Sequence, residues 1–139
     1  VNSNTRDDLY LFTDCDLDGA GCYFLLRKVL NDAEIPHTVS TEKKFRNSFL
    51  SLPNKENYKK IYICDLSVLC NNLDIIDIPN VVYINHRNTD SYKCIEHKHL
   101  RQESQDFSSC TLLMYDRLKA KINLTQEQKR LLSLIDDYD

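Results

Sequence analysis

Apolar and polar positions along this 139-residue chain alternate between two textures. Dense, short apolar runs occur at Asp8–Thr13 (DLYLFT), Lys60–Cys64 (KIYIC) and Asn80–Ile84 (NVVYI). Runs of this length, rich in β-branched and aromatic residues, read as buried strands. Elsewhere apolar residues return every three or four positions. Cys22, Leu25, Leu26, Val29 and Leu30 predict a helix beginning near Gly19, and Cys110, Leu113, Met114 and Leu118 share a face of a helix over Ser108–Lys121. A last helix runs from Thr125 to about Asp137, opened by the capping box Thr125 to Gln128. Ser67 is placed to cap a short helix after the second run, and Pro36–Ser40 to add a strand. The polar, aperiodic stretch Asn88–Asp106 reads as a loop.

Strands alternating with amphipathic helices predict the α/β class, a doubly wound, mainly parallel sheet with helices on both faces. Ligands of such sheets bind beyond the carboxyl ends of the strands. Each strand run here ends in polar residues: Asp14, Asp16 and Asp18 after the first, Asp65 after the second, and Asn85-His86-Arg87 after the third. The three clusters are expected to converge on one crevice.

Composition narrows the class only slightly. Apolar residues at 42% and charged residues at 28% argue for one folded domain over residues 1–139 and against wholesale disorder. A net charge of −3 removes the strongly basic signature of many nucleic-acid binders, although a local basic groove is compatible with it. The six cysteines form no Cys-x-x-Cys pair and several lie in apolar runs, so reduced, mostly buried thiols and a cytoplasmic location are expected. No apolar run approaches the length of a membrane span.

Three chemistries use aspartates spaced as in Asp14-x-Asp16-x-Asp18-Gly19. A calcium loop of the EF-hand type shares the first half, but its twelfth position needs a bidentate Glu and here is Leu25. Asp16-Leu17-Asp18-Gly19 is similar to the nucleophile motif of haloacid-dehalogenase-type phosphatases, which leaves Asp14 without a role. A two-metal phosphoesterase site uses all three acids together with the later clusters. Hard divalent ions call for carboxylates, and a His ligand tilts the choice toward manganese.

The third arrangement resembles the DHH phosphoesterase superfamily, in particular its RecJ-like single-strand exonucleases. DCDLDGAG is similar to the first motif, IYICD to the second, VVYINHR to the name-giving Asp-His-His, QDFSSCTLLMYDRL to the helix start behind the site, and LLSLIDD to the fourth motif. The resemblance implies hydrolysis of phosphodiesters, exonucleolytic on short single-stranded nucleic acid, by a hydroxide activated by two Mn²⁺ ions, with Mg²⁺ as a substitute. It implies Asp14, Asp16, Asp18, Asp65, His86 and Asp137 (or Asp136) as metal ligands, with Asp65 bridging. Asp16, Asp18, Asp65 and His86 would form the catalytic set, and Arg87 would face the substrate phosphate. It also implies a further C-terminal substrate-binding domain in the complete protein. Phe12 stands where the family has a His, Asn85 where it has the first Asp of Asp-His-His, and Arg87 where it has the last His. The alternative these positions leave is a degenerate module that binds without hydrolysis.

Other polar clusters have plainer readings. Cys94, His97 and His99 are expected in a solvated loop rather than a zinc site, since no fourth ligand is evident. Lys43, Lys44 and Arg46 are expected on a solvated helix face backed by core residues Phe45 and Phe49.

Overall fold

The computed structural model describes residues 5–86, 99–104, 109–121 and 124–138. Its strands are β1 (Leu9–Thr13), β2 (His37–Val39), β3 (Lys60–Cys64), β4 (Val81–Asn85) and β5 (Arg101–Ser104). They form one sheet in the order β2-β1-β3-β4-β5, with every neighbouring pair parallel. The helices are α1 (Leu17–Val29), α2 (Phe45–Leu50), α3 (Leu69–Ile76), α4 (Cys110–Leu118) and α5 (Gln126–Tyr138). The doubly wound α/β class is the one found.

The two-residue period of the strands divides the core. Leu9 and Leu11, Cys64, and Val82 and Ile84 meet Cys22, Leu25 and Leu26 of α1, Cys110, Leu113 and Met114 of α4, and Leu132 of α5. The alternate positions, Phe12, Ile61, Ile63, Val81 and Tyr83, meet Phe45 and Phe49 of α2 and Leu69 and Ile76 of α3. Central parallel strands covered on both faces need apolar residues at every position, which explains why these runs look continuous rather than alternating. Phe45 and Phe49 are fully buried, and Arg46 pairs with Asp74 across to α3, as a helix with one solvated face requires. No helix among the described residues is long and apolar enough to cross a membrane.

Several boundaries differ from the sequence expectation. The stretch read as a loop over Asn88–Asp106 contains β5, because an edge strand needs pairing on one side only and Arg101–Ser104 takes it from β4. Helix α1 starts at Leu17 rather than Gly19, since the Asp16 carboxylate accepts a hydrogen bond from the Gly19 amide and caps the first turn. Helix α4 is shorter than Ser108–Lys121: Ser109 caps it through the Leu112 amide, and a 3-10 turn over Lys119–Lys121 follows it. Ser67 does not cap α3, which starts at Leu69 without a side-chain cap. The capping box is present, with Thr125 and Gln128 exchanging hydrogen bonds at the start of α5.

Both glycines of the chain lie in the first turns of α1 and serve close approach rather than unusual backbone angles. A Cβ on Gly19 would overlap the Asp14 carbonyl oxygen, and one on Gly21 would overlap the Thr111 side chain of α4. Gly21→Ala is therefore expected to destabilise the protein by about 1–3 kcal/mol, the usual cost of an extra methyl in a packed contact. A denaturant midpoint equal to that of the parent would show that Thr111 moves aside freely.

The thiols of Cys22, Cys64 and Cys110 are buried and free, while Cys15 is free and exposed. A hydrogen bond with Cys110, reinforced by burial, pushes the Cys22 thiol well above its ordinary range, and burial does the same to Cys64. Thiols held protonated are poor nucleophiles, so Cys22 and Cys64 act here as small core hydrophobes.

Candidate metal centre

The strand order reverses at β1. From β1 the chain moves outward to β2, then crosses back to β3 on the other side, so the connections leave the ends of β1 and β3 in opposite directions. In an open α/β sheet this reversal opens a crevice at the carboxyl ends of those strands. Thr13 and Cys64 are the last paired residues of β1 and β3, which sets Asp14 and Asp65 side by side at the crevice. His86 enters from the end of β4, the next strand.

Local chemistry fixes each acid differently. Asp14 accepts a hydrogen bond from the Cys15 amide at 2.7 Å, and Asp16 accepts one from the Gly19 amide at 2.8 Å. Asp18 turns into the protein: its two carboxylate oxygens accept from the Cys110 amide at 2.9 Å and the Thr111 amide at 2.7 Å. Those amides open α4, where a helix has unsatisfied donors and favours negative charge. The Thr111 hydroxyl in turn donates to the Asp18 carbonyl at 2.9 Å, completing a clasp between α1 and α4.

Asp65 has φ of 61°, in the left-handed region, which costs a non-glycine residue about 1–2 kcal/mol. The loop after it holds that conformation. The Tyr83 hydroxyl donates to the Leu66 carbonyl at 2.6 Å, the Asn85 amide donates to the Ser67 hydroxyl at 3.0 Å, and the Ser67 backbone N–H donates to Glu42 at 2.8 Å. Asn85 thus fixes the β3–α3 turn from a buried position.

These placements bring five of the candidate residues together as two triads. Ligand atoms of Asp18, Asp65 and His86 lie within 4.8 Å of one another, and so do those of Asp14, Asp16 and Asp65. Asp65 belongs to both. His86 Nε2 stands 3.6 Å from Asp65 Oδ1 and 3.9 Å from Asp18 Oδ2, too far for direct hydrogen bonds. Asp18, Asp65 and His86 are buried, whereas Asp14 is half-buried and Asp16 exposed. Burial, then the Asp18 carboxylate beside it, then Asp16, push the Asp65 carboxyl up to about 11. Its Oδ2 atom is buried with no hydrogen-bond partner among the described residues, as is the Thr13 hydroxyl at the end of β1.

The donor set fits divalent cations. Four carboxylates and an imidazole within reach of one another are the ligands of hard to borderline ions, and an orphaned buried carboxyl oxygen is the kind of group a cation would satisfy. One solved structure shows where such a sheet has been seen.

The chain is similar in fold to CDC45. Superposed on the crystal structure of CDC45 from Entamoeba histolytica, it matches over 95% of its length with a TM-score of 0.61 and 12% sequence identity. It spans 30% of that CDC45 chain. At this identity the likeness shows the fold alone, and it is the α/β class that the sequence implied. No protein-family profile and no curated sequence matches the chain.

The remaining candidates fall elsewhere. Arg87 lies outside the described residues, as do Cys94 and His97. Asp136 and Asp137 fall near the C-terminal end of α5, with their side chains outside the described part of the protein. Phe12 faces away from the crevice, fully buried with its ring centroid 5.4 Å from that of Phe45 and 5.5 Å from that of Phe49. Phe12, where the sequence resemblance implied a His, therefore serves core packing. An EF-hand loop is ruled out by α1, which begins at the fourth residue of the would-be twelve-residue loop. Two supporting groups escaped the sequence reading, Glu42 and Tyr83, which hold the turn after Asp65. Thr111, which closes the clasp on Asp18, belongs to the helix start that the sequence placed behind the site.

Proposed function

We propose that this crevice binds two divalent cations, Mn²⁺ with Mg²⁺ as a substitute, and hydrolyses phosphodiester bonds at the end of a short single-stranded nucleic acid. What supports the reading above all is Asp65, shared by two ligand triads and carrying a buried oxygen with no hydrogen-bond partner among the described residues. Asp14 and Asp16 would complete one site, and Asp18 and His86 the other. Ions bound there supply a deprotonated water and positive charge against the phosphoryl oxygens. The chain's own contribution is positioning. The strained turn at Asp65, held by Tyr83, Asn85 and Ser67, aims that carboxyl between the triads, and the α4 amides hold Asp18 in place. Asp16, exposed at the mouth of the crevice, faces the side from which a substrate strand would enter.

One observation favours a second reading, a module that binds metal or nucleic acid without turnover. Both oxygens of Asp18 are already engaged by backbone amides, and Asn85 spends its amide on Ser67 and on the Tyr83 hydroxyl rather than on His86. A single assay separates the two. Hydrolysis of a dinucleotide or short oligonucleotide should require Mn²⁺ and fall more than about a hundredfold in Asp65→Ala, as expected for loss of a shared ligand. Manganese binding by calorimetry with no hydrolysis would establish the second reading, and no manganese binding at all would overturn both.

A further inference from the structure

The turn between β2 and α2, residues 41–44, is tied down at two points beside the metal centre. The Ser40 amide donates to the Thr13 carbonyl at 2.9 Å, keeping the chain against β1 past the last residue of β2. The Glu42 carboxylate accepts from the Ser67 backbone N–H at 2.8 Å, two residues beyond Asp65. Since β1 lies between β2 and β3, the turn crosses the carboxyl end of β1 and walls the crevice on the side of α2, opposite the start of α1. The Lys44 backbone N–H donates to the Thr41 hydroxyl at 3.2 Å and tightens it. Lys43 and Lys44 therefore stand in this anchored turn, fully exposed, rather than on the helix face expected for them. Arg46 is paired with Asp74, whereas neither lysine side chain has a hydrogen-bond or ion-pair partner among the described residues.

We infer, on the reading of the crevice as a phosphodiesterase site, that Lys43 and Lys44 bind phosphates of the substrate strand beyond the scissile one, so that a chain of several nucleotides is preferred to a single phosphodiester. Charge balance calls for such a contact. Asp14, Asp16, Asp18 and Asp65 crowd the crevice, and two divalent ions only offset their four charges. Attraction for the remaining phosphates of a strand has to come from outside that shell. Lysine suits the task, because an ammonium is a compact point charge on a flexible stem and makes no demand for a fixed phosphate geometry. The anchored backbone holds the two stems at one wall while their ends follow the strand. Helix α2 has six residues, so recognition rests on the ammonium groups and not on the helix start.

The plainer reading is that both lysines are merely solvated and act only through net charge. Stopped-flow anisotropy separates the two, with a base-labelled thymidine hexamer and a thymidine dinucleotide mixed with protein and Mn²⁺ across a range of salt and read before turnover. Changing Lys43→Gln together with Lys44→Gln should weaken the hexamer about tenfold at low salt. It should also lower the slope of log affinity against log salt by about 1.4, two single-strand phosphate contacts at about 0.7 each. Changing Lys59→Gln together with Lys129→Gln removes two equally exposed charges, at the far end of the sheet and on α5, and should leave both values at those of the parent. The dinucleotide, with one phosphate, should bind all three proteins alike, as should manganese by calorimetry. An unchanged salt slope, equal losses in the two double variants, or a dinucleotide weakened as much as the hexamer would overturn the inference and, with manganese still bound, leave the metal centre standing. A parent that binds no manganese overturns both. All four lysines are exposed, so the variants keep the fold.

Discussion

Asp65→Asn is expected to stabilise the metal-free protein, and increasingly so as the pH rises, while removing its affinity for manganese. The Asp65 carboxyl titrates near 3.8 in an unfolded chain and is pushed up to about 11 in the fold. Between those values the folded protein holds a proton that the unfolded chain has released, so the parent loses stability with every increase in pH across the interval. At 1.36 kcal/mol per unit, the penalty accumulated by neutral pH is at most roughly 4 kcal/mol. Asparagine removes the titration, tolerates the left-handed backbone of this position, and supplies an amide donor toward Asp16. Urea unfolding in the presence of a chelator, repeated from mildly acidic to mildly alkaline pH, should give a falling stability for the parent and a nearly level one for the variant. Parallel profiles would mean that the buried oxygen of Asp65 is solvated after all.

The second large effect has the opposite sign. Asp18→Ala should destabilise the metal-free protein by roughly 3 kcal/mol or more, because two charge-assisted hydrogen bonds to the start of α4 disappear together and leave buried amides unsatisfied. For a domain of this size the melting temperature should drop by on the order of 10 °C. Asp18→Asn should cost less, since one amide acceptor survives. Removing Asp18 also relieves Asp65 of the neighbouring charge that raises it most, a relief already contained in Asp65→Asn, so the double variant Asp18→Ala with Asp65→Asn should be more destabilised than the sum of the two separate changes implies. If Asp18 were only a metal ligand, its removal would leave the chelated protein no less stable. Differential scanning calorimetry on the chelated proteins reads this directly.

The sequence made the sheet legible where burial on both faces left no room for polar residues. Leu9 and Leu11 against Tyr10 and Phe12, and Ile61 and Ile63 against Tyr62 and Cys64, are apolar on both sides because helices cover both. It hid β5, because Arg101-Gln102-Glu103-Ser104 is a polar run that pairs with one neighbour only. The acids of the candidate site were legible as clusters at strand ends, since strand order carries them to one place whatever the intervening chain does. Their individual tasks were not. Asp16 and Asp18 look equivalent in the motif, yet one is an exposed cap on its own helix and the other a buried anchor for a different one. Nothing local distinguishes them, because the partners of Asp18 are 92 and 93 residues away.

That separation orders events during synthesis. A helix start that depends on a carboxylate 92 residues earlier cannot be satisfied until both have left the ribosome. Until then the first strand, its acidic turn and α1 emerge with Asp18 facing water and with the Gly21 notch empty. Contacts this distant in sequence form late and slowly. Only the arrival of Cys110 and Thr111 supplies the two amides that hold Asp18 and the side chain that fills the Gly21 notch. The nascent chain therefore carries all the acids long before it carries their arrangement.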